Sequence, residues 1–138
     1  MPQNRRPRVL KQVEDRPSIV VCSTCRVSPD ARVDKTGKSG GILLAEELRK
    51  LDANIAVEEM PCLFNCKRHC SIHLRAPGKI GYVLGDFPPS AEAAEAILGF
   101  FRLYRDSEIG TVPYSQWPQG VKGHFVVRVP PPGFVSTK

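Results

Sequence analysis

All five cysteines of this chain stand in two short stretches, VVCSTCR with Cys22 and Cys25, and CLFNCKRHC with Cys62, Cys66 and Cys70. Any fold for the sequence has to account for that grouping, and the simplest account is that the two stretches meet. The N-terminal stretch MPQNRRPRVLKQVEDRP has the charge of a secretory signal but no apolar segment behind it, and no apolar run approaches the length of a membrane span. A cytoplasmic protein with reduced thiols is expected. There, an odd number of cysteines in near-neighbour spacings is a poor disulfide framework and points to metal binding or redox chemistry.

With 138 residues, 41% hydrophobic and 25% charged, the chain has the composition of one soluble domain able to bury a core without staples. The β-branched run Ser18-Ile19-Val20-Val21 ends at Cys22 and reads as a buried strand. A polar loop follows over residues 26–38. From Gly41, the apolar residues Ile42, Leu43, Leu44, Leu48 and Leu51 recur at helical spacing. Residues 54–59 alternate as a second strand, with Ile55 and Val57 on one side. After the cysteine loop, residues 71–75 and Ile80, Tyr82 and Leu84 form a hairpin about the turn Ala76-Pro77-Gly78-Lys79. Ser90 is a good N-cap for a helix to about Arg105, whose apolar face holds Ala93, Ala94, Ile97, Leu98, Phe101 and Leu103.

A β-α-β start requires a crossover helix and makes its two strands parallel. With the hairpin and last helix, the prediction is an α/β domain with a small mixed sheet, the thioredoxin-like arrangement in reduced form. In such a sheet the loop after the first strand and the loop before the hairpin lie at one end, so all five cysteines can converge. The expected organisation is a flexible basic arm over residues 1–16, the domain over 17–106, and an irregular Pro-rich extension over 107–138 packed on it. That extension carries Trp117 and a strand-like run from His124 to Val129, which either wraps the domain or pairs on a sheet edge.

The net charge is +6, with Arg5, Arg6, Arg8, Lys11 and Arg16 in the arm and Arg26, Lys67, Arg68, Arg75 and Lys79 around the cysteines. No stacking aromatics are interleaved with these residues and no nucleic-acid motif is present, so nucleic acid is not expected as a partner. Gly37-Lys38-Ser39-Gly40-Gly41 has the letters of a nucleophile elbow but lacks the strand that motif needs, and reads as a loop entering a helix. Glu58 and Glu59 are neighbours on a strand, point to opposite faces, and read as a solvated edge. His73 and His124 are expected at the surface. His69, inside the cysteine loop, is a candidate ligand or a hydrogen-bond donor to a sulfur.

Four thiolates from two loops suit an iron–sulfur cluster or structural zinc, and net charge does not separate the two. The three-residue gap between Cys62 and Cys66 is less usual for a zinc knuckle and slightly favours the larger cargo. A redox dithiol at Cys22-Ser-Thr-Cys25 is a third reading, which leaves the later cysteines unexplained.

The two cysteine groups, the Ala-Pro-Gly-Lys turn, Tyr82-Val83-Leu84-Gly85-Asp86 and the ending HFVVRVPP together resemble an uncharacterised bacterial family of predicted metal-binding proteins with a domain-of-unknown-function label. The resemblance spans about residues 18–132. More distantly, the chain is similar to thioredoxin-like [2Fe–2S] ferredoxins. That similarity implies one [2Fe–2S] cluster on Cys22, Cys25, Cys62 and Cys66, electron transfer in place of catalysis on a substrate, and a protein redox partner. The chain departs from those ferredoxins in two respects. Its first pair is spaced more closely, and His69-Cys70 replaces a Gly-Pro step, which makes Cys70 a surplus thiol or an alternative ligand. Arg26, Lys67 and Arg68 would form a basic rim for an acidic partner surface. The competing expectation is a zinc-binding structural or metal-delivery protein, with no membrane role in either case.

Overall fold

The computed structural model describes residues 10–137, so the first nine residues of the expected basic arm lie outside the described residues. The elements in chain order are β1 (Ser18–Cys22), α1 (Gly40–Leu51), β2 (Ala56–Met60), β3 (Ile72–Arg75), β4 (Gly81–Leu84), α2 (Ala91–Asp106) and β5 (Phe125–Val129). Short 3-10 turns occur at Cys66–Arg68 and Tyr114–Gln116. The five strands form one mixed sheet in the order β2-β1-β3-β4-β5. β1 and β2 are parallel, and every other neighbouring pair is antiparallel.

Local chemistry explains most boundaries. All five residues of β1 are buried, as a β-branched run between two neighbouring strands requires. α1 starts where the Ser39 hydroxyl accepts a hydrogen bond from the Ile42 amide (3.2 Å), and α2 where Ser90 accepts one from Ala93 (3.2 Å). Both helices cover one face of the sheet and pack on each other. Ile19, Leu44, Leu48, Ile72, Leu74, Ile97 and Leu98 lie almost wholly inside that layer, and each such side chain stabilises the fold by roughly 1.5–3 kcal/mol. Arg49 binds α1 to β2 through the Glu59 carboxylate (2.7 Å) and the Val57 carbonyl (2.8 Å).

The stretch after α2 both wraps the domain and pairs on an edge. β5 extends the sheet beside β4, with a bulge between Val83 and Leu84. Trp117 Nε1 donates to the Val112 carbonyl (2.8 Å), and the Val112 amide donates to the Tyr82 hydroxyl (3.2 Å). The Tyr82 ring meets Phe100, Tyr104 and Trp117 edge-on, with centroids 5.2, 5.9 and 6.3 Å away. This second flank of α2 explains why Phe100 and Tyr104 are fully buried although they lie outside the narrower apolar face expected from the sequence. No helix among the described residues is long and apolar enough to cross a membrane.

Two histidines expected at the surface are drawn inward. The His124 ring stacks on Phe87 (4.3 Å between centroids), and its Nδ1 donates to the Gly85 carbonyl (2.8 Å). His73 lies on the face opposite the helices, between Val20 and Val83, and is half-buried. Residues 12–16 and 129–132 line a groove of about 620 Å³ over it, so distant parts of the chain shield this strand position. Desolvation, and then the nearby Arg75 charge, hold the His73 pKa below its ordinary 6.5. Above that value the imidazole is neutral in both states. As pH falls through it, the unfolded chain takes up the proton first, so the folded state loses stability. Urea midpoints of the wild-type protein should therefore fall between pH 7.5 and pH 5, and His73→Gln should reduce that fall.

Candidate metal centre

The two cysteine stretches leave the sheet at the same end because backbone pairing continues past the strands. The Cys22 amide donates to the Ser71 carbonyl (3.0 Å), and the Ser23 amide donates to the Met60 carbonyl (3.0 Å). The loop from Arg26 to Ser39 then folds back on itself. Asp34 Oδ1 accepts from the amides of Thr36 and Lys38 (both 2.9 Å), which closes its outer turn. The start of α1 is thereby returned behind the first cysteine pair. The Gly41 amide donates to the Cys25 carbonyl (3.3 Å), and the Ser39 hydroxyl donates to the Ser23 carbonyl. A methyl group at Gly41 would overlap the Cys22 carbonyl, and one at Gly40 would overlap the Arg26 carbonyl. The pair reads in sequence as an ordinary loop entering a helix; only the packing shows that glycine is required there.

Three thiols meet in this corner: Cys22, Cys25 and Cys70 are all buried and free. The Cys22, Cys25 and Cys70 thiols are near enough to shift one another's ionisation, and the Cys70 thiol donates to the Arg26 carbonyl (3.7 Å). Two sulfurs also accept main-chain hydrogen bonds, from the Leu63 amide to Cys22 Sγ (3.3 Å) and from the Ser71 amide to Cys25 Sγ (3.4 Å). Donation to Cys25, followed by burial, pushes the Cys22 thiol up to about 12. The bond from Cys22 lowers Cys25, but its own bond to Cys70 and burial outweigh this and push it up to about 11.

The second stretch is only partly drawn in. Leu63 brings its main chain onto Cys22, yet Cys62 is half-buried and Cys66 is exposed at the start of the 3-10 turn. Cys62 and Phe64 both have left-handed backbones, with φ of 59° and 63°. His69 is half-buried, and the peptide bond between it and Cys70 is cis. Arg68, expected in the basic rim, is occupied within the molecule. Its guanidinium binds Asp86 (2.6 Å) and the carbonyls of Phe125 (2.9 Å) and Gly123 (3.3 Å), so it secures β5 to the cysteine loop. Arg26 and Lys67 remain exposed.

Among the described residues, no three Cys, His, Asp or Glu side chains converge on one position that would hold a metal ion. The three buried thiols Cys22, Cys25 and Cys70 lie in one corner of the sheet. The donor chemistry nevertheless fits a thiolate-bound metal. It comprises sulfur ligands free of disulfides, two of them already facing backbone N–H groups of the kind that orient and stabilise ligating thiolates. The amides of Leu63 and Ser71 carry no side-chain signature, so sequence reasoning had no means of finding them.

Residues 19–131 match the model of a family described as a protein of unknown function, DUF1636, and the chain belongs to that family. No curated protein and no solved structure matches it.

The close approach at the α1 start is open to a direct check. Gly41→Ala should destabilise the protein by about 1–3 kcal/mol through overpacking against the Cys22 carbonyl, measured by urea denaturation.

Proposed function

We propose that this protein is an electron carrier with a thioredoxin-like fold, holding one [2Fe–2S] cluster between its two cysteine loops. The observation that carries the reading is the pair of main-chain hydrogen bonds from Leu63 and Ser71 to the sulfurs of Cys22 and Cys25. The backbone of the second loop thus faces both thiols of the first, an arrangement with little use for inert core cysteines. The fold assignment draws support from a parallel β1–β2 pair, an antiparallel β3–β4 hairpin and two helices on one face.

A bound cluster would supply reversible one-electron transfer. Cys22 and Cys25 would hold it from the first loop, and Cys62 with one further thiol from the second. The Leu63 and Ser71 amides orient the sulfurs and offset negative charge on them, which favours the reduced state. Burial of Cys22 and Cys25 keeps water from that side of the site. Arg26 and Lys67 present positive charge beside it, suited to an acidic redox partner, and Phe64, 92% exposed, adds an apolar contact near Lys67. Five free cysteines suit a reducing compartment, so the reading places the protein in the cytoplasm.

A dithiol oxidoreductase is the poorer reading. A nucleophilic cysteine needs exposure and a lowered pKa, whereas Cys22 and Cys25 are buried and raised to about 12 and 11.

Purified without oxygen, the protein should be brown, with broad visible charge-transfer bands and about two iron and two sulfide per chain. Cys22→Ser and Cys25→Ser should each lose most of that iron and sulfide. A colourless protein with one zinc per chain would instead assign the same thiols to a structural or metal-handling role.

A further inference from the structure

The second loop offers three thiols where two are needed beside Cys22 and Cys25, and their surroundings differ. Cys70 has no exposed surface, its thiol donates to the carbonyl of Arg26, the residue after Cys25 (3.7 Å), and the next amide, Ser71, donates to Cys25 Sγ (3.4 Å). Its backbone is fixed on both sides by Phe87: the Cys70 amide donates to the Phe87 carbonyl (3.0 Å) and its own carbonyl accepts from the Phe87 amide (3.4 Å). Gly40 leaves room for its sulfur, since a methyl group there would stand 3.0 Å from Cys70 Sγ. Cys66 has none of this support. It is exposed, opens a single 3-10 turn, and lines a shallow surface hollow with Phe64, Asn65 and Lys67.

Resting on the cluster reading above, we infer that Cys70, and not Cys66, completes the ligand set with Cys22, Cys25 and Cys62. A ligand gains most when its sulfur is already desolvated, beside another ligand and held by a fixed backbone, because little ordering is left to be done on binding. Cys70 meets all three conditions and Cys66 meets none. Cys66 is then a solvent-facing thiol at the rim of the site.

Ligand replacement tests this without disturbing the core. The double variant C66S/H69A removes both alternative donors of the second loop and leaves Cys22, Cys25, Cys62 and Cys70 as the only thiols. Prepared anaerobically, it should keep the iron and sulfide content and the visible bands of the wild-type protein. In the loaded wild-type protein, Cys66 should be alkylated by iodoacetamide with no loss of those bands. Cys70→Ser should either lose the cluster or retain one with shifted bands and altered electron paramagnetic resonance after reduction. A structural role alone would leave the spectrum of any retained cluster unchanged. Loss of half or more of the iron in the double variant, or protection of Cys66 in the loaded protein, overturns the assignment while leaving the cluster reading intact. Wild-type protein without iron and sulfide overturns both.

Discussion

Ser71 joins the two cysteine loops with every polar group it has. Its carbonyl accepts from the Cys22 amide, its amide donates to Cys25 Sγ, and its hydroxyl donates to the Arg68 carbonyl while accepting from Asn65 Nδ2. The residue is completely buried, and a buried polar group is tolerated only when its partners are present. Displacing either loop would therefore leave several groups without partners at once, at about 1–3 kcal/mol for each neutral group. Ser71 lies immediately before β3, so the same contacts that gather the thiols also fix where the hairpin begins.

The second level of support comes from the far end of the chain. Arg68 carries the cysteine loop to Asp86 and to the backbone entering β5, and a methyl group at Gly85 would crowd the Arg68 carbonyl from the other side. β5 in turn depends on the aromatic cluster of Tyr82, Phe100, Tyr104 and Trp117, which seals α2. The segment after α2 therefore takes part in holding the site as well as in covering the core.

What could be read from the sequence follows from the range of the interactions involved. The strands, the Ser90 N-cap and the hairpin turn rest on neighbouring residues, and the pattern of apolar spacing and the capping serine shows them. The meeting of Cys22, Cys25 and Cys70 follows from topology, since a β-α-β unit and a hairpin bring those two loops to one end of a sheet. Other features depend on partners far away in sequence. His73 looked like an outward residue until residues 12–16 and 129–132 were placed over its face. Arg68 looked like a free cation until β5 supplied its acceptors. Gly40 and Gly41 are needed because the carbonyls of Arg26 and Cys22 lie against them, and a long polar loop separates these residues in the chain.

The two halves of the cysteine loop are built to opposite ends. From Arg68 onward the chain is fixed by hydrogen bonds and burial. From Cys62 to Lys67 it is half-buried to exposed and holds two non-glycine residues in the left-handed region, a conformation that costs on the order of 1–3 kcal/mol at each. Phe64, at one of these positions, is 92% exposed and so returns almost nothing to the core. Folding alone does not account for an aromatic side chain held outward on a strained backbone beside an exposed lysine. On the proposed function a redox partner would desolvate the apolar ring on docking and be selected by the neighbouring charge. On this reading Cys70 in the fixed half and Cys62 in the strained half both bind the cluster, and the strained half also presents the site to its partner.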